Sequence, residues 1–507
     1  MWSHLIGIAL VTLAFLLFGR GIVNRENGKN FRPVPVFVLL VAAILFQLLY
    51  QETGIVSRFS HLLVDVGIGM IIASLYLVWH KGRSVLFWAP GALALALGSL
   101  VNLFLWLVGV AFNTEKPTVT EIEMLIELGP DDKLSEIQPI LQKYKANAEQ
   151  AFPQVTLNED ADLAQYYIVR VPRNWFEALN ADLERDRENV DQTDTLHQLN
   201  IPELMSAEAQ RTETPSRIND PLVQQQWYAQ ALGYEQVYAW LADHRPVRKA
   251  KVAIVDTGVS SEHEDLGTVY EKNNGPGDHD QHSHGSHCAG LAGVATNNGI
   301  GTASLNLNGE YLTLTGFPAL DGQGRGTDVT VSRAIIDAAD AGADVISMSL
   351  GGFSPAGAPK AQVDAIRYAR KKGAIVVVAA GNSNDDARRY SPANIKGVIT
   401  VGAVGETLEK APFSNTNQAL KMPIASPGVN ILSTVPGSQY AAYNGTSMAT
   451  PIVAGLVGMM RALNPVLTPE QAWQILHDTG MQGRDDTKVG RLIQPLPALE
   501  AAIRQTR

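Results

Sequence analysis

The sequence predicts an α/β unit with a parallel sheet flanked by helices, preceded by a small α+β domain and an all-α, four-helix transmembrane unit. Three features of the 507-residue chain lead there. Four apolar stretches crowd the first 113 residues, and strand-like and helix-like spacings alternate over residues 118–201. From residue 221 onward, short branched-apolar runs alternate with helical segments. A chain of this length holds several domains, and these features divide it into 1–113, 118–201, a linker at 202–220, and 221–507.

The formal charge of −10 is unevenly spread. Residues 1–113 hold seven Lys/Arg against three acids, while the remainder holds 33 against 47. An acidic soluble part without a basic cluster argues against nucleic acid as a partner. The single cysteine, Cys288, excludes an internal disulfide framework and a cysteine-built zinc site.

The apolar stretches, roughly 2–19, 34–51, 62–79 and 85–112, each approach or exceed the ~20 residues that span a bilayer. The first has its positive charges after it rather than before it, the reverse of a secretion signal. The loop 20–33 carries Arg20, Arg25, Lys29 and Arg32, and the loop 80–84 carries Lys81 and Arg83; the loop 52–61 sets Arg58 against Glu52. The positive-inside rule makes the first and third loops cytoplasmic, so the expectation is a multi-pass protein of the cell membrane with everything after Phe112 on the non-cytoplasmic side. Trp2, Trp79 and Trp88 sit near span ends, as interfacial aromatics do. Asp65 lies near the outer end of the third span, within reach of headgroup water. No Asp/Asp pair occurs in the spans, which argues against aspartyl proteolysis inside the membrane.

In the middle segment Ile122, Met124, Ile126 and Leu128 alternate as a strand does. Helical spacing follows at Leu134, Ile137, Ile140, Leu141 and Tyr144, then a strand at 165–171, a helix at 174–187 and a last strand between 193 and 201. The order β-α-β-α-β suits a small sheet with helices on one side, ferredoxin-like in character. Residues 202–220 are polar and turn-rich, a linker by composition.

The run Lys251–Val259 is a buried-type parallel strand that ends in Asp256. Functional side chains gather at such carboxyl ends, although an aspartate before a glycine also reads as a turn former. Next, the small residues of 282–294 predict a tightly packed helix with His284 at its start, able to bond both a hydroxyl and a carboxylate. Two other readings are open here. His279, His282, His284 and His287, with Asp278 and Asp280, could bind a metal, although their spacing is irregular. Cys288 could be a nucleophile or a small buried hydrophobe. Strands at 311–316, 344–350, 374–379 and 397–402 alternate with helices at 328–341 and 358–372, and Thr468-Pro469-Glu470 caps a helix to about Thr479. Asn382, just past a strand, either points its amide into a cleft or forms a turn. Over 445–456 small residues surround Ser447. Pro451 is tolerated in a first helical turn, so a helix is expected from about Ser447. Its dipole would favour negative charge developing nearby; a plain N-cap is the other reading.

Taken in order, Val-Asp256-Thr-Gly, His284-Gly-Ser-His-Cys-Ala-Gly, Ala-Ala-Gly-Asn382 and Gly-Thr-Ser447-Met-Ala-Thr-Pro resemble the four signature blocks of the subtilisin-like serine proteases. Their chain order, Asp then His then Ser, is that family's order. Met348–Gly352 is also similar, and Cys288 resembles the proteinase-K-like subset. The resemblance covers roughly 220–490. It implies a subtilisin-like fold in which Ser447 attacks the scissile carbonyl, His284 shuttles the proton and Asp256 holds the imidazole. It implies that Asn382 and the Ser447 amide stabilise the oxyanion, and that Ser349, Leu350 and Gly351, with Gly324, Arg325 and Gly326 opposite, pair with an extended polypeptide substrate. It further implies that the middle domain is a propeptide that aids folding and blocks the cleft, with self-cleavage within about 200–220. No cofactor is required; calcium is frequent in the family, but no acidic loop here specifies a site. Ser286 stands where the family has threonine, Thr302-Ala-Ser304 departs from the family pattern, and Leu314–Pro318 replaces a familiar lysine-containing strand. The change at Ser286 is mild, and the other two bear on the cleft wall near 305–325 and therefore on specificity. Four preceding membrane spans are atypical of the family.

Overall fold

A computed structural model describes residues 121–201, 205–207 and 217–504, all within one compact unit, Thr120–Arg507. The four expected spans, their orientation and the 113–118 junction lie outside the described residues.

The first part of this unit runs β1 (Glu121–Leu128), α1 (Leu134–Lys143), β2 (Asn147–Gln150), β3 (Tyr166–Pro172), α2 (Phe176–Arg185) and β4 (Val190–Thr195). The strands form an antiparallel sheet in the order β2-β3-β1-β4. Alternation along β1 divides its side chains between the two faces. Met124, Ile126 and Leu128 pack with Ile137 and Leu141 of α1 and with Leu179 and Leu183 of α2. Leu125 faces the other way and joins Phe152, Tyr166 and Ile168 in a cluster shared with the following α/β unit. The apolar spacing does not predict β2, because Asn-Ala-Glu-Gln is a half-exposed edge strand with no apolar face. The last expected strand, 193–201, is two elements. β4 ends at Thr195, and β5 (Gln198–Asn200) leaves the sheet to pair elsewhere.

The second part contains β6 (Ala250–Asp256), α3 (His284–Gly293), β7 (Leu312–Pro318), β8 (Arg325–Thr327), α4 (Asp328–Asp340), β9 (Val345–Met348), α5 (Lys360–Lys371) and β10 (Ile375–Ala379). It continues with β11 (Ile399–Val404), β12 (Pro423–Pro427), β13 (Ile431–Val435), β14 (Gln439–Asn444), α6 (Thr446–Leu463) and α7 (Pro469–Thr479). Six strands form a parallel sheet in the order β12-β11-β10-β9-β6-β7. Val252 and Ile254 of β6 face α3 and α6, whereas Ala253 and Val255 face α4 and α5. Both faces are covered, which is why these strands read as unbroken apolar runs. α6 is long and apolar enough to cross a membrane by composition, yet it is wholly buried as the central core helix. Gly455 lets α6 approach the α3 backbone, since a Cβ there would collide with the carbonyl of Ala292.

Part of the expected linker is ordered and docked. Met205–Ala207 pairs antiparallel with β14. Asp220 is buried and accepts the backbone amides of Asn297, Asn298 and Gly299.

Polar contacts also join the two parts. Lys360 Nζ of α5 lies 2.6 Å from buried Glu127 of β1 and 2.9 Å from Asp364, which accepts the Tyr166 hydroxyl at 2.9 Å. Arg367 reaches Asp364, Asp160 and Asp162.

Candidate functional site

From β6 the chain crosses to β7 on one side and later to β9 on the other, so the crevice at the carboxyl ends of β6 and β9 is a topological switch point. Asp256 closes β6 and is buried. Its Oδ1 accepts the Thr257 amide at 2.8 Å and lies 2.7 Å from His284 Nδ1. His284 is the first residue of α3, and the start of that helix is fixed from two sides. Asp280 accepts the amides of His282, Ser283 and Ser286, a carboxylate at the positive end of the helix dipole. The Thr257 hydroxyl donates to Asp280 and accepts the Gly285 amide, fastening the end of β6 to α3.

Burial disfavours a charged His284 ring, but the Asp256 carboxylate beside it outweighs that effect and holds the imidazole well above the usual histidine value. The other nitrogen, Nε2, is buried with no hydrogen-bond partner.

Ser447 is the second residue of α6, nearly buried, and its Oγ donates to the Ser349 carbonyl at 3.2 Å. The helix starts at Thr446, close to the expected point, but Pro451 sits beyond the first turn that the sequence suggests. Asn382 follows β10. Its Oδ1 accepts both the amide and the hydroxyl of Thr446 at 2.8 Å, which leaves Nδ2 as the donor available to the cavity that Asn382 lines.

Cys288 lies one turn along α3, its Sγ 3.9 Å from His284 Nδ1 and 3.5 Å from the Ser447 carbonyl. Burial pushes its thiol pKa up, so the thiolate a nucleophile needs is disfavoured and the packing reading holds. The histidines of the 279–287 stretch do not converge. His287 Nε2 bonds the carbonyls of Ile431 and Ala441, and burial pushes its pKa down to about 3. Among the described residues, the metal-capable group of three or more is Asp256, His284 and Cys288. Asp256 and His284 already bond one another, and Cys288 favours its protonated form.

The two edges expected to hold substrate face each other across the chain's own strand. Asn200 and Gly351 exchange both backbone hydrogen bonds, at 3.2 and 3.3 Å. Ile201 donates to the Gly324 carbonyl at 3.1 Å, and β5 pairs antiparallel with β8, setting Leu199 opposite Gly326 and Asn200 opposite Arg325. Gly351, Gly324, Arg325 and Gly326 thus take part through their backbones; the Arg325 side chain turns out to Gln323. For Ser349 and Leu350 the expected pairing is likewise through the backbone; their side chains are buried, and Ser349 Oγ donates to the Ser447 carbonyl at 2.8 Å. Beside Ser447 opens a cavity of about 440 Å³ with no charged side chain in its wall. Tyr390 and Ala393 line it, and no motif marks either residue in the sequence.

A model of the subtilase family matches residues 248–492. Thermitase of Thermoactinomyces vulgaris is 42% identical over 216 residues, covering 42% of this chain and 74% of thermitase. The thermophilic serine proteinase of Bacillus sp. (strain AK1) is 40% identical over 215 residues, covering 41% of this chain and 51% of that protein. Among solved structures, fervidolysin of Fervidobacterium pennivorans, described as a keratinolytic enzyme related to subtilisin, superposes with a TM-score of 0.61 at 23% identity, covering 76% of this chain and 61% of its own, a likeness of fold. A protease of Pseudoalteromonas arctica gives a TM-score of 0.50 at 27% identity, covering 57% of this chain and all of the other.

Proposed function

Because the chain belongs to the subtilase family and is a subtilisin-like serine endopeptidase, we propose that it is a membrane-anchored enzyme, made as a self-processing zymogen, that cuts extended polypeptides on the non-cytoplasmic side. Ser447 Oγ, which rests on the Ser349 carbonyl, gives its proton to Nε2 of His284, the ring nitrogen that has no hydrogen-bond partner. His284 takes the proton as Oγ attacks the scissile carbonyl, and Asp256 holds the ring in its working tautomer. The oxyanion is met by Asn382 Nδ2 and the Ser447 amide. His284 then protonates the leaving amine, and water repeats the sequence on the acyl-enzyme. No metal takes part in these steps, and calcium, if bound elsewhere, enters none of them.

One observation carries this reading. An extended peptide, Gln198–Ile201, is hydrogen-bonded between Gly351 and the Gly324–Thr327 edge, beside Ser447. It is the pairing an extended substrate would make, supplied here by the chain itself. The sheet of residues 121–195 is accordingly the propeptide domain, and the uncharged cavity next to Ser447 receives an uncharged side chain before the scissile bond.

The test is N-terminal sequencing of protein isolated from membranes. The active chain should start within about 200–220, and the Ser447→Ala chain should remain uncut. A wild-type chain that stays intact while showing peptidase activity would refute the self-processing part.

A further inference from the structure

In an α-helix each carbonyl accepts from the amide four residues further on. For Ser447 that amide belongs to residue 451, and Pro451 has no N–H to give. The carbonyl is nonetheless satisfied, from outside the helix. Ser349 Oγ, on a buried side chain just past β9, donates to it at 2.8 Å, and Cys288 Sγ approaches at 3.5 Å as a weaker donor. The contact is reciprocal, since Ser447 Oγ donates to the Ser349 carbonyl at 3.2 Å. Pro451 thus detaches the peptide of Ser447 from its own helix, and Ser349 ties it to the end of the sheet where the chain's own strand docks.

We propose that Ser349 is a positioning residue for the nucleophile. Its hydroxyl replaces the amide missing at Pro451 and so fixes the peptide that follows the Ser447 Cα. That peptide is bonded to the Ser447 Cα and so helps set the direction of the Cα–Cβ bond. Without the hydroxyl, a buried carbonyl is left to a thiol alone, an inferior donor, and the peptide tilts to find another partner. A side chain that only filled space would affect stability but not turnover. This proposal rests on Ser447 being the nucleophile.

The test is a double-mutant cycle on the full chain, with kcat and KM measured on an uncharged tetrapeptide p-nitroanilide. Ser349→Ala should lower kcat about tenfold, equivalent to about 1.4 kcal/mol of barrier, with KM changed by less than about twofold. In a Pro451→Ala background the residue 451 amide can serve the Ser447 carbonyl, so the same Ser349→Ala change should cost less than about threefold. Equal losses in both backgrounds, or a Ser349→Ala kcat close to wild type, would overturn the proposal. If the double variant does not fold, Ser349→Thr decides: it keeps the hydroxyl, so a kcat well above that of Ser349→Ala supports the proposal and an equal kcat overturns it. Ser447→Ala is assayed alongside. Activity surviving that change would sink the nucleophile assignment itself, an outcome distinct from a failure at Ser349.

Discussion

At the scale of single residues, His284 is held by one carboxylate and otherwise surrounded by buried groups. Catalysis begins with a neutral ring, so kcat/KM should rise with pH through the pKa of His284. Because Asp256 raises that pKa against the effect of burial, the midpoint should lie above the ordinary histidine value of 6.5. In Asp256→Asn the largest influence opposing burial is gone, and the midpoint of the residual activity should move to lower pH. A pH–rate profile of both enzymes checks this; a midpoint that stays put or rises in the variant contradicts it. Local pattern set Asp256, His284, Asn382 and Ser447 at strand or helix ends but left a turn former or a plain N-cap open for several of them. Their roles became readable only from the resemblance of the four blocks taken in order. The hydroxyl of Ser349 was not legible in the sequence. Its role depends on an amide that Pro451 lacks, about a hundred positions away in the chain, and no local pattern records that dependence.

At the scale of elements, β5 decides whether the cleft is open. Leu199 is buried while its neighbours Gln198 and Asn200 are exposed, so this one side chain anchors the strand between its two edges. Leu199→Asp would bury a carboxylate without a partner, which is strongly unfavourable. The strand should then leave the cleft, and the uncut chain should hydrolyse a short peptide at least about tenfold faster than the uncut parent, a change worth about 1.4 kcal/mol. The comparison is made before processing, on chains purified at early times, and equal rates would mean that β5 does not block the site. Legibility followed the apolar pattern here too. β1 and five strands of the parallel sheet were readable from alternation or from branched runs, whereas β12, Pro-Ile-Ala-Ser-Pro, carries no such run and was not. Nor was β2, a polar edge strand. The break between β4 and β5 was also hidden, because β5 pairs with a distant edge rather than with its neighbour in sequence.

At the scale of the whole molecule, the antiparallel sheet is docked on α4 and α5 through a shared apolar cluster and through the contacts around Lys360. Lys360→Met would leave Glu127 buried without its cation. Breaking a buried pair in this way costs about 3–5 kcal/mol, but Lys360 is more than a third exposed, so about 1–3 kcal/mol is the fitting expectation. The two parts should separate at lower urea concentration, followed by the fluorescence of Trp175 in one part and Trp227 in the other; coincident, unshifted transitions would contradict this. The α/β architecture was readable because a parallel sheet buried on both faces writes itself in apolar runs. The docking of 205–207 and 217–220 was not, since polar, turn-rich composition describes a docked segment as well as a free one. The most direct test of the central claim is mass-spectrometric mapping of a fluorophosphonate adduct on the full chain. The adduct should fall on Ser447, form faster in Leu199→Asp and be absent from Ser447→Ala; an adduct on another residue, or peptidase activity persisting in Ser447→Ala, would contradict it.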